Sequence, residues 1–379
     1  MYYTYWIFFY LDKSFLKPEH KCNFPFDYTE RYIFIPMALI SKKKVPFNIN
    51  LQLRKYLEKY RREIKMPVQY GDLLRFESSI NLYDRFGNDT LWQTVFFPYS
   101  DIEHIYEGLK QIYADLKTDG DEKVIQHLTI DRVDLCTYGN TQPFRIRIVN
   151  RVNENFDYFY IKKADSSRVY GMELEHLLSP NRMSYLTFRN TLVEEHIVGI
   201  PGDQFFKNDI MNDPNIIHRR LAKEFVKFNE RCFVRLLGDM HSSNFVVDIT
   251  PDFEDVYYRI RAIDFDQQSF EGKRSVYMPQ YFKQNNKLIE LGMKYITPES
   301  AKQYQIEERS LIAGRLKVEE QRLNELMAIM ARDEISSPEN TAQLSSELAR
   351  YYKSDKFLKC KTMGEVVWTS LEQVLIHRF

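Results

Sequence analysis

Apolar and polar positions alternate along this chain in two textures. Residues 50–65 (NLQLRKYLEKYRREIK) place Leu51, Leu53, Leu57 and Tyr60 near helical spacing among many charges, which predicts a surface helix. Residues 101–117 repeat that pattern with Ile102, Ile105, Leu109, Ile112 and Leu116. Asp101 stands where it can cap the start, and the TDGDE run at 118–122 ends it. Residues 1–45 are aromatic and irregular, with Ser41 to Lys44 as a solvated connection. The first 123 residues therefore read as an accessory α+β region without evident chemistry.

After about 124 the spacing shortens to strand period. LTIDRVDLCTY (128–138), a turn at Gly139-Asn140 and PFRIRIVN (143–150) form a predicted hairpin, and FDYFYIKKA (156–164) a third strand. RVYGMELEHLL (168–178) reads as a short helix stopped by Ser179-Pro180-Asn181. Strands follow at 184–189 and 191–200, ended by Pro201-Gly202-Asp203. A helix is expected over 214–230, with Pro214 in its first turn. Strands flank the ITPDFED turn near 249–255. Residues 299–331 and 338–379 look helical, with a break at Ser336-Ser337-Pro338. QRLNELMAIMA (321–331) is an amphipathic stripe that fits core packing.

Composition narrows the function classes. Among 379 residues, Lys+Arg and Asp+Glu both number 53, so the formal charge is zero. That balance argues against a partner bound through overall positive charge, and no nucleic acid is expected. The four cysteines lie far apart without a C-x-x-C pair, which fits neither a zinc ribbon nor a disulfide framework. The apolar stretch Met1–Tyr10 is short of the roughly 20 residues a membrane span needs, and it lacks a basic start. A cytoplasmic protein without a membrane partner is the resulting expectation.

The chemistry concentrates in LLGDMHSSNFVVDITPDFEDVYYRIRAIDFD (236–266). Asp239 and Asn244 stand five positions apart, and Asp264 follows after a predicted hairpin. Three hard-oxygen side chains brought to one hairpin end suit Mg²⁺, which takes one or two carboxylates plus substrate phosphates. Phosphoryl transfer uses such a set, with one Asp on the attacking hydroxyl and an Asn and an Asp on the metal. Each residue alone is equally compatible with a turn, a loop or a strand end.

The segment resembles the protein-kinase-like superfamily, in its aminoglycoside phosphotransferase and choline kinase branch. That branch carries H-G-D-x-H-x-x-N followed by I-D-[FW]-[DE]. Gly238-Asp239, His241 and Asn244 match the loop, and Ile263-Asp264-Phe265-Asp266 matches the metal motif. Leu237 replaces the loop's first His, and Ser242 a frequent Pro. The resemblance covers roughly 125–290. It implies an α+β, two-lobed protein-kinase-like fold: an accessory region at 1–123, a small antiparallel sheet lobe at 124–200 and a helical lobe at 201–379.

The resemblance also implies ATP and Mg²⁺ as cofactors, Asp239 and His241 as catalytic-loop residues, and Asn244, Asp264 and Asp266 as the metal set. It puts a phosphate-binding lysine at the end of the third strand, Lys162 or the adjacent Lys163, paired with a helical glutamate, Glu173 before Glu175. Backbone near Glu195 and Ile197 would meet the adenine edge, before a turn at Ile200-Pro201-Gly202. A phosphate-cradling G-x-G-x-x-G is missing, since the first hairpin has only Gly139. The implied activity is transfer of the γ-phosphoryl group to a hydroxyl of a small molecule or protein. A pseudokinase scaffold and a kinase-fold nucleotidyl transferase are the alternatives.

Overall fold

Strands with one buried face assemble first into a sheet of seven. They are β1 (Ser78–Tyr83), β2 (Asp89–Phe96), β3 (Leu128–Cys136), β4 (Phe144–Asn150), β5 (Phe156–Lys163), β6 (Tyr185–Phe188) and β7 (Thr191–Glu195). The sheet is antiparallel in the order β1-β2-β3-β4-β5-β7-β6. These elements come from a computed structural model, which describes residues 44–379 apart from 85, 119, 121–124, 138–140, 208–210, 212, 253–255 and 377–379. The expectations for residues 1–43 and for the Gly139 turn lie outside the described residues.

Two surface helices precede the sheet, α1 (Leu51–Lys59) and the single turn α2 (Tyr70–Leu73). Asn50 caps α1 by accepting from the Leu53 amide. Helix α3 (Tyr99–Thr118) lays Ile105, Leu109 and Ile112 on one sheet face, where they meet Ile146, Phe159 and Ile161. Period-2 alternation explains the choice: β4 buries Phe144, Ile146 and Ile148 and leaves Arg145 and Arg147 on the other face. Helix α4 (Ser166–Leu178) joins β5 to β6 and is buried along nearly its whole length. Its cap, Asp165, accepts from the Arg168 amide and forms a buried 2.6 Å ion pair with Lys44.

A boundary at 123 would fall inside this unit, because β2 pairs with β3 through Trp92↔Cys136 and Thr94↔Asp134. Among the described residues the chain divides into two compact units, one running through Ile197 and the other from Val198 onward.

The second unit contains α5 (Gly202–Lys207), α6 (His218–Arg235) and a small sheet ordered β10-β9-β8, with β8 (Ile200–Pro201), β9 (Phe245–Pro251) and β10 (Val256–Ala262). The expected strand 191–200 is thus two pieces: β7 ends at Glu195, and Ile200–Pro201 pairs with β9 in the other sheet. Helix α6 begins four residues beyond Pro214 and runs to Arg235, where Leu236 turns left-handed at φ 53°. Helices α7 (Asn286–Tyr295), α8 (Pro298–Val318), α9 (Glu320–Met330), α10 (Pro338–Tyr352) and α11 (Met363–Ile376) complete the unit. Thr297 and Ser337 cap α8 and α10, each followed by Pro at the first helical position. No helix among the described residues is long and apolar enough to cross a membrane.

Candidate functional site

The loop after α6 is shaped by backbone pairing. Leu237 bridges Gln268, the Gly238 amide donates to the Gln267 carbonyl at 3.2 Å, and the Asp239 amide donates to the Val276 carbonyl at 3.0 Å. Gly238 permits this approach, since a Cβ there would stand 2.9 Å from the Gln267 oxygen. Asp239 adopts a left-handed φ of 61°, a conformation Asp tolerates better than most residues. Leu237 is buried. Its side chain fills core and makes no polar contact with the loop, which main-chain bonds and the Asn244 and Asn285 side-chain amides hold instead.

The β9–β10 hairpin carries Ile263-Asp264-Phe265-Asp266 back to this loop. Its register ends at Phe245↔Ala262, and the Ile263 amide donates to the Asn244 carbonyl at 3.0 Å. Phe265 is fully buried, which leaves Asp264 and Asp266 on either side of it half-buried. The Asp264 carboxylate accepts the Asp266 amide at 3.0 Å. The Asn244 amide donates from Nδ2 to the Asp239 carbonyl at 2.9 Å and to Asp239 Oδ2 at 3.3 Å. With Nδ2 so committed, Oδ1 is the atom left to face a cation. His241 accepts from the Ser243 amide, and its Nε2 lies 3.8 Å from Asp239 Oδ1. Ile200-Pro201-Gly202 packs here too: a Cβ on Gly202 would stand 2.6 Å from the Ser242 carbonyl oxygen.

The electrostatics match the geometry. Burial pushes the Asp239 carboxyl up to about 7, and the charges of Asp264, Asp266 and Glu271 add to that, against the Asn244 hydrogen bond. Burial holds His241 below the usual imidazole range, opposed by the charges of Asp264 and Asp203. The loop therefore gathers carboxylates whose charges disfavour ionisation of Asp239. Hard oxygens on Asp264 and Asn244 suit Mg²⁺, so the donor set fits that ion in type. Among the described residues no group of three or more His, Cys, Asp or Glu is arranged to hold a metal by itself.

In the sheet unit the expected lysine pair is corrected. Lys162 is buried and its ammonium lies 2.6 Å from Glu194 on β7, not against Glu173. Arg168 joins the same carboxylate at 3.0 Å. The sheet register explains the exchange: Lys162 is opposite Leu192 and Tyr160 is opposite Glu194, so Glu194 is the diagonal neighbour on the Lys162 face. The two cations together hold Glu194 below the usual carboxylate range, overcoming its burial. Glu173 instead accepts from the hydroxyls of Tyr185 at 2.5 Å and Tyr56 at 2.8 Å. Glu175 is likewise buried in α4. The signal for Glu194 was strand alternation, which becomes usable only once the β5–β7 pairing is known.

Lys163 is exposed on the opposite face, as its odd position requires. There it lines a cavity of about 440 Å³ with Tyr70, Arg75, Asn190 and Thr191. The Glu195 amide donates to the Ser184 carbonyl, and its carboxylate accepts from the Ser184 amide at 2.7 Å, so this residue has no free N–H for an adenine edge. Ile197 is buried just beyond β7. Comparison with known proteins finds no matching family model and no matching curated sequence.

Proposed function

We propose that the chain is an ATP- and Mg²⁺-dependent phosphotransferase acting on a hydroxyl group, as its resemblance to the kinase-like superfamily implies. One observation carries the proposal. Asp239 sits in a left-handed loop, bonded to Asn244 and crowded by Asp264, with its carboxyl raised to about 7. A carboxyl tuned near neutrality is suited to accept a hydroxyl proton at physiological pH. Asp239 would orient the acceptor and take that proton. Asn244 Oδ1 and Asp264 would hold the metal, with Asp266 outside them. His241, kept neutral, would shape the loop and hydrogen-bond the acceptor side. Bound Mg²⁺ would supply charge neutralisation on the transferring group. The resemblance assigns Lys162 to the nucleotide's phosphates, and Glu194 is the group that positions it.

A second reading, a nucleotide-binding protein without turnover, draws on the same sheet unit. There Glu194 holds both Lys162 and Arg168, and the helical Glu173 accepts from two tyrosines with Arg62 3.9 Å away. ATP labelled at the γ- or α-phosphate, incubated with Mg²⁺ and a broad acceptor panel, tests both. γ-Label in product supports the phosphotransferase, and α-label supports a nucleotidyl transferase. ATP binding with no label transferred moves the case to the scaffold.

A further inference from the structure

The sheet face that carries Lys162 also carries three arginines that no step above uses. Pairing sets Thr94, Asp134, Arg145, Tyr160 and Glu194 directly opposite one another across five strands. A second row sets Arg132 opposite Arg147, and Arg147 opposite Tyr158. Helix α3 covers the other face, so these side chains share the side away from that core.

Charge on this face is unbalanced. Asp134 is fully buried, and its Oδ2 alone accepts from Arg132 Nε at 3.0 Å and from Arg145 Nε and Nη2 at 3.2 and 2.8 Å. Its Oδ1 is taken by the Thr94 hydroxyl at 2.8 Å. One carboxylate thus holds two guanidiniums and has nothing left to offer. Arg147 pairs with Asp131 at 2.6 Å through Nη1, while its Nε is buried without a hydrogen-bond partner. Like charges directly opposite across strands destabilise a sheet, yet Arg132 and Arg147 occupy such a pair.

Aromatic rings hold the guanidiniums in place. Arg145 lies 4.4 Å from the Trp92 ring and 5.2 Å from Tyr158, and Arg147 lies 4.3 Å from Phe156. The remaining N–H groups of Arg132 and Arg145 make no hydrogen bond among the described residues. Fixed planar forks with spare donors match the oxygens of phosphate as well as those of carboxylate. The two rows stand roughly 7 Å apart along the strands, at about 3.3 Å per residue. That spread suits a chain of phosphoryl groups rather than one.

We propose that Arg132, Arg145 and Arg147 form a polyphosphate-binding site on this sheet face. The proposal rests on the sheet unit alone and is independent of the Asp239 loop. A nucleoside triphosphate and inorganic tripolyphosphate share the required chemistry.

The test uses the full chain carrying Asp264→Ala, in EDTA, so that metal-dependent binding does not contribute. Tripolyphosphate and ATP are titrated by calorimetry and by tryptophan emission, with Trp92→Phe identifying the reporting ring. Saturable tripolyphosphate binding, weakened at least tenfold by Arg147→Gln and by Arg132→Gln and unchanged by Lys163→Gln on the opposite face, is expected. Tighter binding of ATP identifies the nucleotide as the source, and equal binding identifies the phosphate chain itself. Arg145→Ala strips a partner from buried Asp134 and can unfold the sheet, so Arg147→Gln, whose ion pair is with exposed Asp131, decides. Absence of saturable tripolyphosphate binding, or binding untouched by both glutamine variants, overturns the proposal.

Discussion

Replacing Asp239 by Asn should make the metal-free protein more stable while ending its turnover. The carboxyl rises from its ordinary 3.8 to about 7, first by burial and then by the charges of Asp264, Asp266 and Glu271. Each pKa unit is worth ~1.4 kcal/mol, so ionising Asp239 in the folded state above pH 7 costs up to about 4 kcal/mol. The side chain keeps 22% of its surface in water, and screening there brings the figure nearer about 2 kcal/mol. The sign follows from linkage. The folded state binds the proton more tightly than the unfolded chain, so its contribution to stability is full below about pH 4 and is lost as pH rises through about 7. Asn carries no charge, tolerates the left-handed φ at 239 and can still accept from Asn244 Nδ2.

Differential scanning calorimetry in EDTA is the assay. At pH 8 the Asn variant should melt on the order of 5 °C higher, at ~2–4 °C per kcal/mol for a unit of this size. At pH 5, where wild-type Asp239 is already protonated, the difference should shrink towards zero. Phosphoryl transfer should be lost at both. A variant that melts at or below wild type at pH 8 would refute the electrostatic account of the loop. Wild-type turnover by the variant would refute the proton-acceptor role.

Four further outcomes are expected. Mg²⁺-ATP at millimolar concentration should raise the melting temperature, and Asp264→Ala should remove most of that shift, as thermal scans can show. Glu194→Gln should cost about 3–5 kcal/mol in denaturant unfolding, because Lys162 and Arg168 lose their shared buried partner, and it should weaken nucleotide binding. Glu173→Gln should cost less, ~1–3 kcal/mol, and leave nucleotide affinity unchanged, since it meets two tyrosines and Arg62 instead of the lysine. Gly238→Ala should cost about 1–3 kcal/mol by forcing a Cβ to within 2.9 Å of the Gln267 oxygen, and its transfer rate should fall with the displaced loop.

Half-buried elements were legible in the sequence. Strands β3 to β6 lie within about two residues of their expected limits because one face of each meets a core and alternation records it. Strands β1 and β2 were illegible, since β1 is exposed or half-exposed at every position and leaves no period-2 trace. Helix α6 was misplaced at both ends. Pro214 offered an attractive start that the chain does not use, and the stop at Leu236 is a left-handed leucine without the usual glycine. The linear motif 238–266 could be read because its spacing is local and its partners lie within one hairpin. The partner of Lys162 could not be read. That partner depends on which strand lies beside β5, a long-range fact on which the sequence is silent.

The carboxylates of the two units follow one rule with opposite outcomes. Asp134 is buried and meets two guanidiniums, Arg132 and Arg145, a positive surplus at that carboxylate, and Glu194, buried between Lys162 and Arg168, is held below the usual carboxylate range. Asp239 is buried among carboxylates, with only an amide for relief, and the surplus is negative. A sequence selected for stability alone would neutralise both surpluses, at little cost, by exchanging single side chains. Keeping opposite surpluses at fixed, hydrogen-bonded places makes sense if each is completed by a ligand, anionic on the sheet and cationic at the loop. Mg²⁺ with a phosphorylated compound contains both charges. The thermal shift from Mg²⁺ alone, from tripolyphosphate alone and from the two together can therefore be measured on one protein. Asp264→Ala should remove the first and spare the second, and Arg147→Gln should do the reverse. If one substitution abolished both shifts, the surpluses would not be separate sites.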